Sequence, residues 1–303
     1  MVSLATEFAG VKFKNPIVTA SGTFGFGREY GEFYDLSELG GICVSGITVS
    51  ERLGNAPPRI AETPMGMLNS VGLQNPGVDA FIREELPFLR KFDTVIIANV
   101  SGNTAEEYIK MTEKLSDAKV DIIEINVSCP NVKEGGMQFG VCEKNVFAIT
   151  KEVKKRSLVP VMIKLTPNVT NIAEIAKAAE DGGADAVSLI NTVLGMRIDI
   201  NTRKPILSNN VGGLSGPAIL PIAVRMVWQV AGAVKIPIMG MGGVTKYTDV
   251  IEMMLAGAGL IGIGTANFID PYIPVKIIEQ LKKYCESNNV NNINEIVGKV
   301  QLN

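Results

Sequence analysis

Short apolar runs recur along the chain at intervals wide enough to hold a helix. They cover Ile17–Ala20, Gly41–Val44, Thr94–Ala98, Ile122–Asn126, Val161–Leu165, Ala186–Ile190, Ile236–Met239 and Leu260–Gly264. Each run is short and nearly continuous, as expected of strands covered on both faces of a parallel sheet. Between them the pattern becomes helical. Thr104-Ala-Glu-Glu107 reads as a capping box before EYIKMTEKL. Asn171 to Glu174 predicts a second helix start, before IAKAAEDGG, with Gly182 and Gly183 as its stop. Pro217 opens a further helix, PAILPIAVRMVWQVAG. Ahead of the first run, LATEFAGVKFKNP predicts a hairpin turning at Gly10, placed to plug one end of a barrel.

Eight β/α units in 303 residues fit a TIM (β/α)8 barrel, with residues 1–303 as a single domain. A doubly wound open sheet is the alternative. Two connections are long, Ser45 to Asp93 and Asn191 to Pro217. In a barrel both lie over the C-terminal face, where the chemistry of this architecture takes place.

Composition narrows the function classes. Apolar residues make up 46% and charged residues 20%, which suits a soluble globular protein. The net charge is −2 and no dense Lys/Arg block occurs, so neither nucleic acid nor an anionic membrane is indicated as a partner. The N-terminal stretch lacks a secretory pattern, and no run of eighteen apolar residues is present. A cytoplasmic location is expected. There is no histidine, and the four cysteines, Cys43, Cys129, Cys142 and Cys285, form no C-x-x-C pair. No metal site and no intrinsic iron–sulfur cluster are therefore expected. Ser–His and Cys–His dyads are excluded, which leaves Cys, Lys, Asp, Glu or Tyr for acid–base work.

Several residues carry candidate chemistry. MGMGGVTKYTDV and IGIGTANF, at the last two strand ends, place Gly242, Gly243, Gly264 and Thr265 where strand gives way to helix. Glycines there allow close backbone approach, and amides at helix starts attract a phosphate. The plainer reading is tight βα turns; two such loops after strands seven and eight favour a phosphate site. Lys164 ends VMIKL. A lysine within a buried strand is costly unless its charge is used, as a Schiff base or as a fixed cation beside an electron-accepting ring. A lysine snorkelling at the strand end is the plainer alternative. Asn99, Asn126 and Asn191 fall at strand ends, and Asn69 and Asn131 in loops. Singly each suits a turn; together they suggest a polar pocket for a neutral, flat, amide-bearing ligand. Cys129, in NVSCPNVKEGG after a strand, could serve as nucleophile or base. Cys43 reads as core, and Cys142 and Cys285 as ordinary loop and helix residues.

These stretches together carry a resemblance. ASGTFGFGREY, GNAPPRI, NSVGLQNPG, IIANVSGN, INVSCPNVKEGG, IKLTPNVT, INTVLGMRID, GGLSGPA, GMGGV and GTANFIDP resemble the catalytic subunits of class 1B dihydroorotate dehydrogenases, over essentially the whole length. The resemblance implies an FMN-containing TIM barrel that oxidises dihydroorotate to orotate in pyrimidine biosynthesis. It implies that Cys129, on a loop shaped by Pro130, takes the C5 proton while hydride leaves C6 for the flavin. It implies that Lys164 faces the N1/O2 edge of FMN. Gly242, Gly243, Gly264 and Thr265 would hold the FMN phosphate. Ser21, Ser45, Gly46, Asn99, Asn126, Ile190 and Gly216 match other flavin positions. Asn69, Ser70, Val71, Gly72, Leu73, Asn126, Asn131, Asn191 and Thr192 match the orotate pocket. One FMN per subunit is implied, with FAD and an iron–sulfur cluster only in an electron-transfer partner subunit that passes electrons to NAD. A homodimer core of a heterotetramer is implied as well.

One position departs from the family. The family lysine that touches both flavin and substrate is here Ser45. Loss of such a charge-assisted contact costs about 1.5–3 kcal/mol. Three explanations are open: a native arrangement in which water or Arg52 compensates, a paralogue acting on a related dihydropyrimidine, or a substitution that weakens or silences the enzyme.

Overall fold

In a computed structural model, which describes residues 2–128 and 139–303, the eight runs close into one parallel barrel. Its strands are β1 (Ile17–Thr19), β2 (Gly41–Cys43), β3 (Val95–Val100), β4 (Ile122–Asn126), β5 (Val161–Lys164), β6 (Ala186–Leu189), β7 (Ile238–Met241) and β8 (Leu260–Ile263). They pair in chain order, and β8 returns to β1 to close the ring. The TIM-barrel expectation therefore holds, and the open doubly wound sheet is excluded.

Helices α1 (Ala105–Asp117), α2 (Glu143–Arg156), α3 (Ile172–Asp181), α4 (Leu220–Ala231), α5 (Tyr247–Ala256) and α6 (Ile273–Ser287) lie around the barrel. Their starts follow the sequence signals closely. Thr104 Oγ1 accepts the Glu107 amide at 3.3 Å, although the Glu107 carboxylate reaches back to the Asn103 amide and not to that of Thr104. Asn171 Oδ1 accepts the Ala173 amide at 3.2 Å, and Gly182 caps the other end of α3. At Pro217 the chain first makes a 3-10 turn, Pro217–Ile219, and only then α4.

Strand periodicity divides the core in two. In β4, Ile123 and Ile125 face outward, into the apolar layer shared with the helices. Ile122 faces inward, with Val18, Cys43, Ile97, Met162, Ala186, Met239 and Leu260. The predicted hairpin forms from Thr6–Phe8 and Val11–Phe13, turning at Ala9 and Gly10. Phe8 and Phe13 are each 1% exposed and belong to this inner cluster, so the hairpin does close the N-terminal end. Gly41 is glycine for that reason: a β-carbon there would fall 2.9 Å from the Phe13 ring.

The two long connections pair with each other. Val193–Gly195, Gly212–Ser215, Gly66–Asn69 and Ile60–Thr63 form a four-stranded antiparallel sheet. It is built from the loops that follow β2 and β6, and so roofs the C-terminal face. Among the described residues no helix is long and apolar enough to cross a membrane.

Candidate active site

The inward positions change character toward the C-terminal ends. Along β4 the inner face reads Ile122, Glu124, Asn126, so apolar gives way to polar within one strand. Asn126 pairs in register with Lys164 on β5, and Lys164 with Ser188 on β6. Lys164 is 5% exposed and Glu124 fully buried. The lysine is therefore inside the barrel, and the snorkelling alternative is excluded.

Glu124 was missed in the sequence, although its own signal was present. It is an acidic residue in an apolar buried strand, two positions from Asn126 and hence on the same face. In the structure it gathers the floor of the site. Cys43 donates its thiol proton to Oε2 at 3.2 Å, Asn99 Nδ2 donates to the same oxygen, and Ser188 Oγ donates to Oε1 at 2.6 Å. Lys164 Nζ stands 4.0 Å from Oε2. Cys43 is thus core and polar partner at once. Burial first, and then the Glu124 charge, push its thiol well above the usual range. The Lys164 charge and the Ser21 backbone at the end of β1 act more weakly in the opposite direction.

Above this floor the asparagine amides have fixed orientations. Asn126 Oδ1 accepts from the Ser128 amide at 3.1 Å and from Asn191 Nδ2 at 3.3 Å. Asn191 Oδ1 in turn accepts the Thr192 amide at 2.8 Å. With its oxygen taken, Asn126 offers a ligand its Nδ2, a donor. Asn99 is the reverse: its nitrogen is taken by Glu124, and its Oδ1 is buried without a partner in the protein. Asn99 lies inside β3, which runs to Val100, and not at the strand end the sequence suggested.

Gly46 lies against this oxygen. A β-carbon there would fall 3.1 Å from Asn99 Oδ1 and 3.1 Å from Leu73 Cδ2. Leu73 belongs to the stretch from Asn69 to Leu73, which is tied down at several points. Asn69 Nδ2 donates to Gly213 O at 3.3 Å, and Asn55 holds the carbonyls of Ser70 and Val71 at 2.8 and 2.9 Å. Ser70 Oγ and Ser101 Oγ are also buried without partners. Buried polar atoms are nearly always paired, so the unpartnered Asn99 Oδ1 and Ser101 Oγ, both beside Gly46, point to a polar ligand that pairs them. Ser45 is half-buried, with its amide on Gly25 O at 3.0 Å. Arg52 is fixed through its backbone to Asn75, at 2.9 and 3.0 Å.

The glycine turns gather at the other side of the face. Gly243 has φ +80°, and a β-carbon there would fall 2.7 Å from Leu220 N, at the start of α4. One at Gly242 would meet Ile190 Cγ1 at 3.2 Å. Gly216 precedes the Pro217 turn, and Thr265 Oγ1 donates to Ser215 Oγ at 2.8 Å. Gly216, Gly242, Gly243, Gly264 and Thr265 thus flank the starts of two helical segments, the arrangement that accepts an anion. The orphaned Asn99 oxygen, the Asn126 donor, Lys164 and these turns fit a flat imide-bearing ring that ends in a phosphate, as FMN does. Cys129 and Asn131 lie outside the described residues. Among the described residues no group of three or more Cys, Asp or Glu side chains is placed to hold a metal ion.

A family model for dihydroorotate dehydrogenase matches residues 3–285. A protein of Thermoanaerobacter pseudethanolicus named "Dihydroorotate dehydrogenase B (NAD(+)), catalytic subunit" is 58% identical, over 99% of this chain and 100% of its own. Proteins of the same name from Alkaliphilus oremlandii and Caldicellulosiruptor bescii are 57% and 55% identical, over 98% and 99% of this chain and 99% and 100% of their own.

Proposed function

Because the chain belongs to the dihydroorotate dehydrogenase family, we propose that it oxidises dihydroorotate to orotate as the FMN-binding catalytic subunit of an NAD-linked enzyme. The observation that carries this reading is the shared carboxylate of Glu124. Through it a buried cation, Lys164, and a buried unpartnered acceptor, Asn99 Oδ1, meet at the catalytic face. That pairing suits a ring that takes up negative charge and carries an N–H.

FMN, when bound, would supply the acceptor for the hydride that leaves C6 of the substrate. The chain's own residues do the rest. Gly242, Gly243, Gly264 and Thr265 hold the phosphate on backbone amides, and Gly216, Ile190, Ser21, Ser45 and Gly46 border the ring. Lys164 offsets negative charge on the reduced ring. Asn69, Asn126, Asn191 and Thr192, with Ser70, Val71, Gly72 and Leu73 beside them, orient the planar diamide of the substrate. Asn131 joins them on sequence grounds. Cys129 is the base that removes the C5 proton. Its support is the NVSCPNVKEGG motif and the lack of any histidine to compete for the role. A free thiol loses its proton at about pH 8.5, so that step is expected to be faster in mildly alkaline medium.

The relatives' shared name, which calls each a catalytic subunit, supports a second subunit. We take that partner to carry FAD and an iron–sulfur cluster, on a homodimeric core of this chain in the cytoplasm. Ser45 supports a second reading, a paralogue acting on a related dihydropyrimidine, or an enzyme with weakened reduction.

An anaerobic visible spectrum tests the reading. The purified protein is expected to be yellow, and its flavin band to bleach when dihydroorotate is added. A yellow protein that bleaches with dihydrouracil and not with dihydroorotate establishes the second reading instead.

A further inference from the structure

Glu124 has no part in the substrate or phosphate contacts, yet it is the most heavily partnered side chain of the site. Among the described residues the buried charged groups are Glu124, Lys164 and Asp249. Asp249 caps α5 through Thr245 and Lys246, which leaves Glu124 and Lys164 as the charges inside the barrel. A buried carboxylate is costly unless donors surround it. Here the donors come from β2, β3 and β6, and the cation from β5. One side chain thus ties five of the eight strands together under the ring site.

Two consequences follow from its chemistry. An ionised carboxylate only accepts hydrogen bonds, so Asn99 must face it with nitrogen and present oxygen on its other side. That oxygen is the orphan beside Gly46. The same carboxylate stands opposite Lys164 and offsets part of its charge. With serine at position 45, the floor holds one cation and one anion.

We propose that Glu124 is a positioning residue. It fixes the Asn99 amide as an acceptor for a ring N–H, and it tempers the pull of Lys164 on the reduced flavin. The inference rests on the proposal that the site binds flavin. It assigns Glu124 no contact with substrate or cofactor.

Two substitutions separate the effects. Glu124→Gln keeps the length, can still accept from Asn99, and can donate to Ser188, so it removes the charge alone. Glu124→Met removes charge and acceptor together. The readouts are the two-electron midpoint potential of the bound flavin and the FMN affinity of the apoprotein by fluorescence quenching. The Gln variant is expected to favour reduced over oxidised flavin about tenfold more than wild type, about 30 mV upward, with oxidised FMN bound as before. The Met variant is expected to bind oxidised FMN at least tenfold more weakly. Glu124→Asp keeps the charge but withdraws it from Lys164. It should raise the potential by a smaller amount, and it tests the same point if the Gln variant does not fold. An unmoved or lowered potential in the Gln or Asp variant overturns the proposal, as does full FMN affinity in a folded Met variant. A wild-type protein that takes up no flavin at all overturns the flavin reading itself, and the inference with it.

Discussion

Asn191 Nδ2 donates to Asn126 Oδ1 across 3.3 Å, joining the loop after β6 to the end of β4. The bond settles which end of the Asn126 amide a ligand meets. Asn126→Asp keeps both bonds into that oxygen but abolishes the donor and adds a negative charge beside Lys164. A lost hydrogen bond to a charged or polarised group is worth about 1.5–3 kcal/mol. Reduction by dihydroorotate, followed by stopped flow, should slow at least tenfold while FMN stays bound.

Position 45 invites the converse experiment. Ser45 follows β2, its amide is anchored on Gly25, and it is half-buried next to Gly46. Ser45→Lys returns a cation to the edge of a pocket proposed to hold an anionic product. Orotate affinity should tighten by roughly tenfold, the lower end of a charge-assisted contact. Unchanged affinity and unchanged reduction rate would show that this chain manages without the charge.

The thiols give a prediction in pH. The Cys43 pKa is raised, chiefly by burial and then by Glu124; that of Cys285 is raised by burial, then by Glu295 and Glu286. A thiol whose pKa is higher folded than unfolded binds more protons in the native state between the two values. Its stabilising effect is complete below the unfolded value of about 8.5 and is lost as pH rises toward the folded value. Melting temperature should therefore fall with rising pH above about 8.5, and Cys43→Ala should flatten the slope. Alkylation of the native protein at neutral pH should modify exposed Cys142 and spare Cys43 and Cys285.

Much of this architecture was legible in the sequence because a parallel barrel leaves continuous apolar runs. The limits of the runs were less so. The seventh strand was expected over Ile236–Met239 and occupies Ile238–Met241. Gly240 lies within the strand, and it is glycine because Ala258 and Met253 leave no room for a side chain: a β-carbon there would fall 3.0 and 3.2 Å from them. Lys164 stood out as a charge in an apolar run; Glu124, in the same circumstance, passed for part of one. The sheet over the face was not legible either. Its strands pair across 144 positions, as Asn69 does with Gly213, and local pattern carries no record of such a partner.

The aromatic pair at the other end has a consequence for traffic. With Phe8 and Phe13 seated in it, the barrel is a blind shaft: nothing passes through, and whatever reaches the floor must back out again. Arriving reactant and departing product share one doorway and have to take turns. In the proposed reaction electrons are exempt from the queue, since they need only proximity and not passage.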